Sequence, residues 1–163
     1  MRSRGFSLVE MVLIMAMVAI LMTIGTFSFQ DYSRRYRTEA QTRLLFSELL
    51  KARANAICQR RGTRVKFFAD RFEVYSSQQD GGTVRPLETH RLTYPLTSNG
   101  TGWGSGMDVD FDESGIASKL CSICLDPSAG TGAVDSVVIY WSRVSIGKKD
   151  KGNDCKDGSI TYK

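Results

Sequence analysis

One carboxylate stands where a carboxylate is hard to keep. Glu10 is followed by twenty residues, Met11 to Gln30, without a charge, a run long enough to span a bilayer. A charge at the centre of a membrane costs about 2.5–3.5 kcal/mol even on insertion scales, so an acid at the edge of such a run calls for a partner. Phe6 lies four residues earlier, about 6 Å along a helix. If the chain is cut after Gly5, the new amine on Phe6 becomes the nearest complementary charge, in the same chain or in a neighbour. That arrangement favours helices packed side by side.

Four cysteines form the second candidate set: Cys58, Cys121, Cys124 and Cys155. In an oxidising compartment an even count points to disulfides, with three possible connectivities. Cys121-Ser122-Ile123-Cys124 has the spacing of a redox motif but no βαβ context. Leu125 stands where haem attachment requires histidine. A four-cysteine zinc site is the competing reading in a reducing compartment. With disulfides preferred, the expectation is that the 121–124 loop is tied to Cys155 and that Cys58 meets the other loop cysteine.

Three further sets are weaker. Asp108, Asp110 and Asp112 begin like a calcium loop, but Glu113 and Lys119 occupy the places of its glycine and final glutamate. An alternating strand with its acids in water accounts for them equally. Lys148, Lys149, Lys151 and Lys156 could meet DNA phosphates, although three interspersed aspartates reduce the field and a solvated tail is the simpler reading. His90 is the chain's single histidine, which removes His-based triads and multi-His metal sites. No nucleophile, base and orienting group fall into a catalytic pattern. We therefore expect no enzyme, no cofactor and no metal.

These residues need elements to hold them. The chain has 163 residues and a net charge of +5; without the apolar run, roughly 130 residues remain for one modest core. Charge is segregated, with eleven Lys/Arg against three acids over residues 34–71 and six acids against Lys119 alone over 108–135. No proline precedes Pro86, so a long helix from Phe6 to Arg61 is allowed, about 84 Å in length. Gly25, between Thr23 and Thr26, is where it should soften. Leu45, Leu49, Ala52 and Ala56 recur at helical spacing, and Arg61-Gly62 offers a stop. Arg53 falls within that stripe, either snorkelling to the rim or pairing with an acid of the sheet. Strands are expected over 63–69, 71–76, 87–94, 107–111 and 135–143, a glycine-rich loop over 98–106, a polar segment over 147–158 and a short edge strand over 159–162.

A secretory signal does not fit the N-terminus, because the apolar stretch is too long and lacks a small-x-small exit. Arg4-Gly5-Phe6-Ser7-Leu8-Val9-Glu10 instead resembles the class III leader of type IV pilins and type II secretion pseudopilins. Lys51-Ala52-Arg53-Ala54-Asn55-Ala56-Ile57, Gly62-Thr63-Arg64-Val65 and Asp110-Phe111-Asp112-Glu113-Ser114-Gly115 are similar to segments of the H-type minor pseudopilins and related minor pilins, the GspH/FimT family. The resemblance implies an α+β, pilin-like fold: a long N-terminal α-helix, membrane-spanning in its first half, packed on an antiparallel β-sheet head. It implies a leader over 1–5, a transmembrane and assembly half over 6–30, an amphipathic half over 31–62 and a β-rich head over 63–163.

It also implies cleavage between Gly5 and Phe6 by prepilin peptidase, N-methylation of Phe6, and a role for Glu10 in ordering subunits. The partners would be other pilin subunits, the peptidase/N-methyltransferase and the inner membrane, with the head in the periplasm and entry into a filament. Arg2 and Arg4 are balanced by Arg34, Arg35 and Arg37 beyond the span, so positive charge alone does not orient the chain. Those three arginines should contact headgroups or the next subunit. Some members bind DNA through a Gly-Arg-x-Arg motif, where this chain has Ser142-Arg143-Val144-Ser145. A DNA-uptake subunit and a secretion pseudopilin are the alternative functions.

Overall fold

With no proline to break it, the N-terminal third forms one helix, α1, Leu8–Gln59. The computed structural model describes residues 7–78, 84–100, 103, 106–126, 132–150 and 155–163, apart from the Phe27 side chain. Helix α1 runs unbroken through Gly25, where softening was expected. There the hydroxyls of Thr23 and Thr26 donate to the Ala19 and Thr23 carbonyls at 2.8 and 2.9 Å and stay within the helix. It ends at Arg60, a left-handed residue (φ 47°, ψ 45°), with the Arg61 N–H returning to the Ala56 carbonyl. Gly62 is not that cap. Its lack of a side chain admits the Gln78 amide, which a Cβ would strike.

Among the described residues nine strands follow, all paired antiparallel: β1 (Thr63–Phe67), β2 (Arg71–Tyr75), β3 (Glu88–Arg91), β4 (Leu96–Ser98), β5 (Met107–Phe111), β6 (Cys121–Leu125), β7 (Ser136–Ile139), β8 (Val144–Lys149) and β9 (Ile160–Tyr162). They make two sheets, ordered β3-β2-β1-β5 and β4-β6-β7-β8-β9. The helical stripe of Leu45, Leu49, Ala52 and Ala56 is buried against both. Strand alternation supplies the rest: Val65 and Phe67 from β1, Phe72 and Val74 from β2, Met107, Val109 and Phe111 from β5, Ile123 and Leu125 from β6, Val137 and Ile139 from β7. Each fully buried leucine or phenylalanine in that list stabilises the fold by about 1.5–3 kcal/mol.

Three expectations need correcting. Residues 121–124 are a strand, not a loop, and β6 is buried throughout. Val144–Lys149 is a strand, so Lys148 and Lys149 belong to the sheet and not to a polar tail. Leu96–Ser98 is a short strand at the head of the glycine-rich stretch. The first sheet has a solvated face and shows clean alternation. The second is covered on both sides near its centre, because Cys124, Val138 and Ile160 form a small second cluster beneath Cys155. Double burial erases the alternation that would mark β6.

Polar side chains lock the helix to the head. The Gln41 amide donates to the Tyr94 carbonyl at 2.7 Å, and its oxygen accepts from the Thr93 and Tyr94 N–H groups at 3.0 Å each. The Thr63 hydroxyl donates to the Ala52 carbonyl at 3.0 Å. A helix carrying water-exposed residues on most sides is thereby held in one rotation.

Candidate functional site

Glu10 lies in the first turn of α1, exposed among exposed neighbours. Gly5 and Phe6, where cleavage and a new amine are expected, lie outside the described residues. From Leu8 to Phe29 the described apolar side chains stand clear of the head; Leu8 is 79% exposed, Leu21 69% and Phe29 70%. The helix has an 18-residue window of mean hydropathy 2.5, none of it buried, and so is long and apolar enough to cross a membrane. Burial begins at Thr38. Between the two regimes stand Arg34, Arg35 and Arg37, with Tyr32 and Tyr36 beside them, all exposed.

The cysteines divide by face. Cys124 and Cys155 form a disulfide that closes a 31-residue separation. Cys58 and Cys121, expected as the second pair, are both free. The reason is strand geometry: positions three apart in a strand face opposite ways. Cys124 meets the Cys155 segment on the outer face, while Cys121 turns inward beside Ile123 and Leu125. Burial pushes the Cys121 thiol up to about 12, against a weaker pull from Lys119, so it stays protonated at neutral pH. The same geometry separates the members of the Cys-x-x-Cys motif and removes it as a shared metal or redox site.

The three aspartates do not converge on an ion. Asp110 receives both Nε and Nη2 of Arg64, at 2.6 and 3.0 Å, across the β1–β5 pair. Asp108 lies 3.9 Å from Arg64 and 4.0 Å from Lys66. Asp112 accepts from the Ser114 and Ile116 N–H groups, closing a turn in which Gly115 takes φ 75°. That glycine also packs on Ile57 and Arg53. Arg53 makes no ion pair with the sheet among the described residues; its stem lies along Gly115, the snorkelling alternative.

Lys148 and Lys149 are neighbours in β8 and therefore point to opposite faces. Lys149 also donates its backbone N–H to the buried Asp135 carboxylate at 2.7 Å. The pair does not form one patch, and Lys151 lies outside the described residues.

Sequence reasoning missed one cluster. His90 stacks on Phe72, with ring centroids 4.8 Å apart, and its Nε2 lies 3.2 Å from Glu88 Oε2. Lys51 Nζ lies 2.7 Å from Glu88 Oε1 and 3.4 Å from Glu48 Oε2. The Lys51 hydrogen bond, followed by that of His90, holds the Glu88 carboxyl below the usual range, and Glu88 in turn raises Lys51. These residues tie edge strand β3 to the helix. Helical spacing links Glu48 to Lys51, but nothing local links either to residue 88.

A family model described as the prokaryotic N-terminal methylation motif matches residues 1–26. Among solved structures, the chain is similar to the type IV minor pilin FimU of Pseudomonas aeruginosa strain PAO1 in two crystal forms. One has a TM-score of 0.56 at 14% identity, covering 71% of this chain and 91% of that one. The other has a TM-score of 0.54 at 16% identity, with coverage of 66% and 90%. No curated protein matches by sequence. The chain thus joins a prepilin-type methylation motif to the fold of a type IV minor pilin, one long helix followed by antiparallel sheets.

Proposed function

We propose that this chain is a minor pilin subunit, anchored in the inner membrane by the first half of α1 and carrying its head in the periplasm until it enters or primes a type IV pilus-like filament. Prepilin peptidase would cut between Gly5 and Phe6 and methylate the new amine. Glu10 would then pair with the Phe6 amine of a neighbouring subunit. One observation carries the reading. The methylation motif, residues 1–26, runs into the helix whose stretch from Met11 to Gln30 carries no charge and whose most apolar 18-residue window is bare of the head. Such a face needs lipid before assembly and other helices after it. The charge pair would select the axial register, because a carboxylate in an apolar bundle is stable only opposite its cation.

Glu10→Ala is expected to leave cleavage intact and to reduce incorporation into sheared filaments at least tenfold, since one buried unpaired charge costs about 3–5 kcal/mol. Normal incorporation of the variant would overturn the pairing mechanism. Filament yield from a deletion strain, compared with the parent and a complemented strain, tests the larger role. Loss restored on complementation fits priming, whereas unchanged yield favours a secretion pseudopilin or a DNA-uptake subunit.

A further inference from the structure

Just beyond the apolar run, Tyr32, Arg35 and Tyr36 share one face of α1, because residues three and four apart lie together on a helix. Tyr32 and Tyr36 are 67% and 65% exposed. The head comes down beside this face. Gly132 lies so close to the helix backbone that a Cβ there would sit 3.3 Å from the Arg35 carbonyl oxygen and 3.5 Å from the Glu39 nitrogen. Ala133 and Lys148 complete the far wall. Together they line an open groove of about 400 Å³. Among the described residues its one lining acid is Glu39, whose Oε1 accepts from Arg43 Nε and Nη2 at 2.9 and 2.7 Å. Asp31 is the other acid on this stretch of helix, against Arg34, Arg35, Arg37 and Arg43. The groove is therefore cationic, with aromatic side chains at its mouth.

Its height decides what reaches it. Arg35 is six residues past Phe29, about 9 Å up the helix at 1.5 Å per residue, and its side chain can reach back down. Headgroups occupy roughly the first 5–8 Å outside the hydrocarbon, the layer that tyrosine and arginine favour. We propose that this groove binds the phosphodiester headgroup of an anionic phospholipid in the leaflet facing the head. The phosphate sits between the Arg35 guanidinium and the Lys148 ammonium, and Tyr32 and Tyr36 lie among the neighbouring headgroups. Arg35 belongs to the anchor and Lys148 to the head, so one lipid fixes the head's height and tilt over the membrane. The contact is lost when the subunit is drawn out of the bilayer. This inference rests on the proposed membrane-spanning role of α1. A DNA phosphodiester has the same chemistry, but this groove opens beside the bilayer surface, where lipid phosphates are already concentrated.

The test places the full chain in nanodiscs of phosphatidylcholine alone or mixed equally with phosphatidylglycerol. The rate of lysine acylation by an N-hydroxysuccinimide ester is then read by mass spectrometry. Lys148 is expected to react about fivefold more slowly in the anionic discs. Lys119, exposed two residues before Cys121 and so at the other end of the β6–β7–β8 ladder from Lys148, keeps its rate. Arg35→Ala, an exposed substitution that leaves the core untouched, restores the Lys148 rate. Equal Lys148 rates in both discs overturn the proposal. So does protection by added DNA in phosphatidylcholine discs without protection by phosphatidylglycerol, which would return Lys148 to nucleic acid. Flotation with phosphatidylcholine vesicles separates the two levels. A chain that does not float loses the membrane role and this site with it; a chain that floats with Lys148 equally reactive loses only the site.

Discussion

The two halves of α1 are one helix in two solvents. From Leu8 to Phe29 the described apolar side chains point every way and are exposed. From Thr38 to Ala56 one stripe, Thr38, Thr42, Leu45, Leu49, Ala52 and Ala56, is buried, while Glu39, Arg43 and Lys51 lie among the remainder, where Leu44 and Leu50 are also exposed. The contrast shows what makes a helix last in each setting. The upper half is held by packing on two sheets and by the Gln41 and Thr63 hydrogen bonds. Among the described residues the lower half has no buried side chain, and a surrounding that denies its backbone other partners would keep it helical.

Substitutions that are equal in chemistry but different in position should separate the halves. Leu49→Ala, at a fully buried site, is expected to destabilise the head by about 2–5 kcal/mol. Leu21→Ala, at a site 69% exposed, should leave head stability within about 0.5 kcal/mol. Urea titration of both variants in detergent checks this, and equal losses would mean the anchor packs on the head after all. A smaller effect concerns the C-terminal segment. Replacing Cys124 and Cys155 by serine should cost about 2–4 kcal/mol, with hydrogen exchange rising first in β9 and last along the α1 stripe. A uniform rise would show that the segment is integral to the main core.

The smallest effect is acid loosening of β3. Because the folded Glu88 carboxyl is depressed, its contribution is present above its unfolded pKa and fades as pH falls through the folded value. Being exposed and screened by solvent, the pair contributes little. Amide exchange corrected for its intrinsic pH dependence should show β3 opening more readily below the carboxylate range, and Glu88→Gln should remove that trend. Unchanged protection of β3 in acid would indicate that the Phe72–His90 stack alone holds the edge.

Legibility followed burial. Strands β1, β2 and β5 of the first sheet have one wet face, so Thr63, Val65 and Phe67 alternate with Arg64 and Lys66 and could be read directly. Strand β6 has none, and Cys-Ser-Ile-Cys-Leu carries no period to read. Lys148 and Lys149 looked like a tail because charge is the usual mark of a loop. In the fold they stand near the sheet's edge, where both can reach the periphery while Gly147 between the strands lets Ile160 approach. The same limit hid the site residues. Tyr32, Arg35 and Tyr36 share a helical face by spacing alone, but Lys148 joins them only through the path of β8.

Local order was enough for whatever depends on neighbours along the chain. The N-terminal methylation motif with Glu10 and the apolar run, the length of a helix free of proline, and the stripe at Leu45, Leu49, Ala52 and Ala56 are all properties of spacing. Tertiary structure alone decided what depends on which strands meet. It paired Cys124 with Cys155 while leaving Cys58 and Cys121 apart, set Arg64 against Asp110, and brought Glu88 to Lys51 and His90 to Glu48. Such contacts join residues tens of positions apart, and only the closing of the core, which no short window contains, determines which of them form.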